Sequence, residues 1–146
     1  MVKQALGMIE TRGLTAAIDC IDLIIEVLRG AKKVYAVDIG HGQLDKTLCN
    51  DVRVVNLEGL NARYITSDDI GEICDVAVSD ISFISQTYII PQIINLLHED
   101  GIYIALIKPQ FEAGREKVGK KGVVREKSTH IEVIENVDGY PISSSV

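Results

Sequence analysis

The chain has 146 residues, 47% of them hydrophobic and 25% charged, with a net charge of −6. That suits one globular domain with a real core rather than a disordered chain, and it argues against a surface that binds nucleic acid everywhere. No apolar stretch is long enough to cross a bilayer, and Cys20, Cys49 and Cys74 form neither a CxxC zinc pair nor a disulfide framework. The expectation is one domain over residues 1–146, with buried thiols in a reducing, cytoplasmic setting, no membrane contact and no metal.

Residues 1–14 have no clear period and are left unassigned up to about residue 18. From Asp19 onward Ile21, Ile24, Ile25 and Leu28 share one helix face, and Gly30 suits the position just past its end. Residues 34–39, VYAVDI, read as a strand that closes on Asp38 and glycine. A short helix is expected over 43–48 and a second strand over 52–57. Residues 61–69 read as loop, with Ser67 capping a turn. Residues 75–80, DVAVSD, give a third strand that also ends in an acid. Ser85 or Thr87 then starts a helix with Pro91 near its first turn, a face of Ile89, Ile90, Ile93, Ile94 and Leu97, and Gly101 as its stop. The apolar run 102–107 reads as a buried strand, and Pro109 ends it because proline cannot donate to a ladder. Last come a capping-box pattern at Thr129 and Glu132, a helix with Ile131, Ile134 and Val137 on one side, and a frayed tail over 138–146. Strands alternating with helices predict an α/β fold: a mostly parallel sheet with helices on both faces.

In such a sheet, chemistry collects at the carboxyl edge, and three strand ends carry polar groups: Asp38, Asp80 and Lys108. An acid in the place of Asp38 accepts hydrogen bonds from both hydroxyls of a ribose; a turn aspartate is the plainer alternative. Asp80 and Lys108 leave adjacent strands in the usual order, so the carboxylate would hold the ammonium. A lysine base must be neutral when it acts, which requires burial or a second cation, so a charge-stabilising role for Lys108 stays open beside that of a base. A surface lysine at a turn is the plain alternative.

Residues 108–127 hold seven Lys or Arg against three Glu, a local charge of +4 that leaves −10 for the remainder. A basic loop at the active edge of an acidic domain suits phosphate, and a solvated loop of mixed charge is the alternative. The stretch GREKVGKK at 114–121 imitates a P-loop. It lacks the final Ser or Thr, and no helix is expected at its end.

With AKKVYAVDIGHGQL, DVAVSDISFIS and ALIKPQFEAGREKVGKKGVVR in view, the chain resembles the TlyA-type hemolysins, which are similar to FtsJ-type ribosomal RNA 2′-O-methyltransferases. The resemblance runs from about Arg29 to Val137. It implies a Rossmann-like methyltransferase fold, S-adenosylmethionine as methyl donor and ribosomal RNA or a ribosomal subunit as partner. By the same resemblance Asp38 holds the cofactor ribose, Asn61 and Ala62 lie near the adenine, and Asp80, beside the cofactor, and Lys108 match two members of a Lys-Asp-Lys-Glu catalytic set. Arg115, Lys117, Lys120, Lys121 and Arg125 become the expected RNA contacts. In that chemistry a neutral lysine takes the proton of a ribose 2′-hydroxyl, and the oxygen attacks the methyl in line.

The chain departs from the pattern in several places. The stretch GLTAAIDCIDLII has only Gly13 where the family carries a Gly-rich cofactor loop, and its LTAAIDCI would have to serve as the first strand. Lys3, the only lysine near the place of the first catalytic one, does not align with it. The final glutamate, the C-terminal strands and the N-terminal S4-type RNA-binding domain have no counterpart in the sequence. Two functions of different classes therefore stand as expectations: a methyltransferase domain, and a non-catalytic relative that keeps the fold as an RNA- or protein-binding module. Membrane lysis, suggested by the family's older name, has no amphipathic basic helix behind it.

Overall fold

The computed structural model describes the backbone of residues 14–18 and all of residues 30–140. Five strands form one parallel sheet in the order β3-β2-β1-β4-β5. They are β1 (Leu14–Ile18), β2 (Lys33–Asp38), β3 (Val54–Glu58), β4 (Cys74–Ser79) and β5 (Leu97–Ala105). The LTAAI stretch does serve as the central strand, paired with β2 on one side and β4 on the other. The helix expected from Asp19, the residues Gly13 and Lys3, and the part of the expected tail over 141–146 lie outside the described residues.

β2 shows why a parallel strand reads as a continuous apolar run. Successive side chains point to opposite faces, and here both faces are covered. Val34 and Ala36 pack with Ala31 and Leu48. Tyr35 and Val37 join the larger cluster with Ala77, Ile89, Ile93 and Leu96.

Short helices fill the connections: α1 (Lys46–Cys49), α2 (Ser67–Ile70), α3 (Ile90–Ile94), α4 (Pro109–Glu112) and the longer α5 (Lys127–Asp138). The helix expected over 43–48 starts late because Asp45 is its cap, accepting from Thr47 N at 2.7 Å. The cap of α2 is Thr66 rather than Ser67, in a box with Asp69. β3 begins at Val54, and Val52 is fully exposed.

Two boundaries differ more. The apolar face from Ile89 does not run to Gly101 as one helix: a 3₁₀ turn (Gln86–Tyr88) leads into α3, which ends at Ile94, and Leu97 already belongs to β5. β5 pairs with β4 through Cys74↔Leu97 and then Val76↔Ile102, so three residues of β4 face six of β5. The excess loops out as a bulge. Gly101 sits inside that bulge, where a Cβ would meet His98 O at 2.9 Å. The strand is also less buried than its composition implies, with Ile102 and Leu106 both 46% exposed at the edge of the described sheet.

In α5 the capping box does not form. Thr129 lies within the helix and is buried, the cap is Glu126, and Glu132 pairs with Lys117. The buried face is Thr129, Val133 and Val137 at four-residue spacing, and Ile131 and Ile134 are exposed. Cys74 is buried as expected but Cys49 is exposed, and Cys20 lies outside the described residues.

Candidate active site

The carboxyl edge of the sheet places the predicted residues at two neighbouring points. At the tip of β2, Asp38 Oδ1 accepts from Gly40 N at 2.6 Å, which closes a tight turn at the strand end. The turn beyond it is held by the tip of β3. Glu58 Oε1 accepts from Gln43 N at 2.6 Å and Leu44 N at 3.1 Å. These backbone donors, Leu44 foremost, pull its carboxyl down to about 2. Asp38 and Glu58 are direct partners in the β2–β3 register, so the second acid secures the loop that frames the first.

Asp38 opens onto a cleft of about 360 Å³ that is also lined by Asn61 and Ala62, together with Ile39, Leu60, Ile81 and Ile84. Asn61 caps the 3₁₀ turn (Ala62–Tyr64), accepting from Arg63 N at 3.0 Å. Three of the predicted cofactor residues therefore share one apolar-walled cleft. Asp80 is not among its lining residues, but Ile81 and Ser82, immediately after it, are.

The second point is the Asp80–Lys108 pair. Leu106 N donates to Ser79 O at 2.8 Å, one rung past the end of β5, which brings the two exits level. Lys108 precedes Pro109 and is held extended (φ −108°, ψ 101°), because a proline disfavours helical backbone in the residue before it. From there Lys108 Nζ reaches Asp80 Oδ1 at 2.5 Å and donates to Ser82 Oγ at 2.9 Å. Asp80 Oδ1 is buried and has no well-aligned hydrogen-bond donor among the described residues. Charge attraction rather than a directed hydrogen bond therefore holds the pair, and Ser82 fixes its orientation.

Sequence reasoning passed over Ser82, although the motif DISFIS was in plain view. The available signal was a hydroxyl two residues beyond a strand-end acid, in reach of the same side of the sheet. It also passed over Phe83, whose φ of 67° is unusual for a bulky residue. Phe83 is 90% exposed at the rim of the cleft, its ring centroid 5.0 Å from that of Phe111.

The basic loop divides. Lys117 is tied to α5 by Glu132 at 2.6 Å, which raises its pKa. Lys120, Lys121 and Arg125 surround a shallow pocket of about 300 Å³ on a turn closed by Gly122 N to Gly119 O at 2.8 Å. Arg115 lies in the 3₁₀ turn (Arg115–Lys117). No helix follows the GREKVGKK stretch until Lys127, so it is no P-loop. Among the described residues, no cluster of His, Cys, Asp and Glu could hold a metal ion, and no helix is long and apolar enough to cross a membrane.

A parallel sheet in this order, with a carboxylate at the tip of its second strand facing an apolar cleft, defines a Rossmann-like α/β domain. Residues 20–140 match the model of one family, the FtsJ-like methyltransferases, and the chain belongs to that family. Its relatives include Hemolysin A of Brachyspira hyodysenteriae, 47% identical over 108 residues, which are 73% of this chain and 45% of that protein. They also include the 16S/23S rRNA (cytidine-2'-O)-methyltransferase TlyA of Mycobacterium tuberculosis, 46% identical over 98 residues, 67% of this chain and 37% of that one. The fold is shared with a hemolysin-type protein from Streptococcus thermophilus at a TM-score of 0.85 and 38% identity, over 95% of this chain and 53% of that chain. The chain thus spans less than half the length of these two curated relatives.

Proposed function

We propose that this domain methylates the ribose 2′-hydroxyl of a nucleotide in ribosomal RNA, with S-adenosylmethionine as donor. The observation that carries the reading is the Asp80–Lys108 pair, set at the tips of adjacent strands and joined through Ser82 to the wall of the Asp38 cleft. The name of the TlyA relative, a cytidine-2'-O-methyltransferase of ribosomal RNA, points to the same chemistry.

The described residues fit the adenosine half of the donor. A carboxylate at one end of the cleft suits ribose hydroxyls, and walls of Ile39, Leu60, Ile81 and Ile84 suit a flat apolar base. Asp38 would take the ribose, and Asn61 and Ala62 would border the adenine. When bound, the donor supplies an electrophilic methyl carbon on a sulfonium.

The remaining work falls to this chain's side chains. Lys108 Nζ, held as an ammonium between Asp80 Oδ1 and Ser82 Oγ, is the group placed to steady the negative charge that grows on oxygen, and it can take the hydroxyl proton only after its own proton has left. Asp80 holds it by charge and Ser82 fixes its direction, which would orient the hydroxyl oxygen in line with the methyl carbon. Arg115, Lys120, Lys121 and Arg125 would contact phosphates and set the register of the RNA. Lys117, already paired, would contribute less.

The test is calorimetric titration of the chain with S-adenosylmethionine, followed by transfer of labelled methyl to ribosomal RNA. Saturable binding together with label on a 2′-oxygen supports the reading. No heat at millimolar donor would leave a binding module without chemistry.

A further inference from the structure

Beyond the tips of β4 and β5 two short segments meet: residues 80–86 and the single turn α4. They touch at three places. Lys108 holds Asp80 and Ser82, and Phe111 packs on Phe83. Glu112 then accepts from Gln86 N at 2.8 Å through Oε1 and from the Ser85 hydroxyl through Oε2. Lys108 is the extended residue that caps α4 and positions 111 and 112 lie in its turn, so the cap and the turn together reach along the facing segment.

Within that segment Ile81 and Ile84 pack on the core and Gln86 is buried, while Phe83 is 90% exposed between them. Phe83 sits in the left-handed region, which a residue with a Cβ adopts only under strain. A strained loop relaxes unless both ends are secured. β4 secures the Asp80 end. At the other end the Gln86 side chain is anchored in the core, and the Glu112 carboxylate, with both oxygens engaged, adds the stronger kind of hydrogen bond to the backbone of Gln86 and the hydroxyl of Ser85.

We propose that Glu112 is a positioning residue for the Asp80–Lys108 pair: it pins residues 85–86 to α4, and this keeps Asp80 and Ser82 facing the lysine. The inference rests on the reading of that pair as the seat of methyl transfer. Loss of Glu112 leaves the core anchored. The Gln86 side chain has its own buried partners in Ser79 Oγ at 2.9 Å, Tyr103 OH at 2.8 Å and Leu106 O at 3.1 Å. What the substitution frees is the loop between that anchor and the strand tip.

The experiment compares Glu112→Ala, Glu112→Gln and Ser85→Ala in the full chain. It reads kcat and KM for donor and RNA, melting temperature, and the ammonium resonance of Lys108 in isotope-labelled protein, assigned by its loss in Lys108→Ala. The expected result for Glu112→Ala is a kcat about 100-fold lower, the scale of a roughly 1 Å misplacement. Donor KM stays unchanged and the Lys108 resonance broadens. Glu112→Gln, whose amide can still accept from Gln86 N and donate to Ser85, recovers most of the rate and the resonance. An unchanged kcat or an unchanged resonance in Glu112→Ala overturns the proposal, as does a loss confined to KM or to melting temperature. If Glu112→Ala does not fold, Ser85→Ala decides by the same two readouts. If the wild-type chain transfers no methyl to any RNA, the proposed function falls, and the Lys108 resonance alone decides whether Glu112 positions the pair.

Discussion

In the proposed reaction Lys108 is the residue on which the chemistry turns, and among the described residues its ammonium is held by Asp80 and Ser82. Lys108→Ala is expected to abolish methyl transfer while leaving the circular dichroism and melting temperature near wild type. Retained transfer would remove it from the mechanism. Asp38→Ala is expected to weaken donor affinity by about 10- to 100-fold, since hydrogen bonds to a charged acceptor are worth about 1.5–3 kcal/mol; calorimetry measures it directly. Glu58 makes a prediction about acid. Its carboxyl falls from an ordinary 4.5 to about 2 in the folded chain, held there first by the Leu44 backbone. A depressed folded value means that its contribution is whole above the ordinary value and is lost as pH falls toward the depressed one. Glu58→Gln should therefore melt below wild type at neutral pH, and the two melting curves should converge between about pH 4.5 and 2. A gap that persists at the acid end would contradict the assignment.

Among the elements, the short helices mark where sequence patterns reach their limit. The sheet was legible because β2 and β4 are apolar runs that end in acids, and both faces of β2 are in fact covered. The two acids and Lys108 were legible for the same reason, as polar residues at the point where an apolar run stops. The face of α5 was not. Ile131, Ile134 and Val137 have helical spacing, but Thr129, Val133 and Val137 have it too, and only tertiary packing decides between them. A paired substitution tests that outcome. Ile93→Ala, fully buried beneath the sheet, should cost about 2–5 kcal/mol in denaturant unfolding. Ile134→Ala, 52% exposed on α5, should cost less than about 0.5 kcal/mol. Ser82 and Glu112 escaped because their partners lie 26 or more residues away in sequence, a distance that no local period encodes.

At the scale of the whole molecule, the charge is split between a basic loop and an acidic body, +4 against −10. Such a split favours an oriented approach by a polyanion over indiscriminate adhesion. Replacing Lys120, Lys121 and Arg125 together by Ala should weaken RNA binding across sequences. It should also flatten the dependence of log affinity on log salt by about 2–3 units, at roughly 0.7–0.9 per phosphate contact. An unchanged slope would place the RNA elsewhere. The bulge in β5 has its own consequence. Because the extra residues are taken up between Leu97 and Ile102, everything downstream to Ala105 keeps step with β4. The bulge works as an expansion joint: trimming or lengthening the chain near Glu99 should be absorbed upstream, and the distance across the reactive tips should not change.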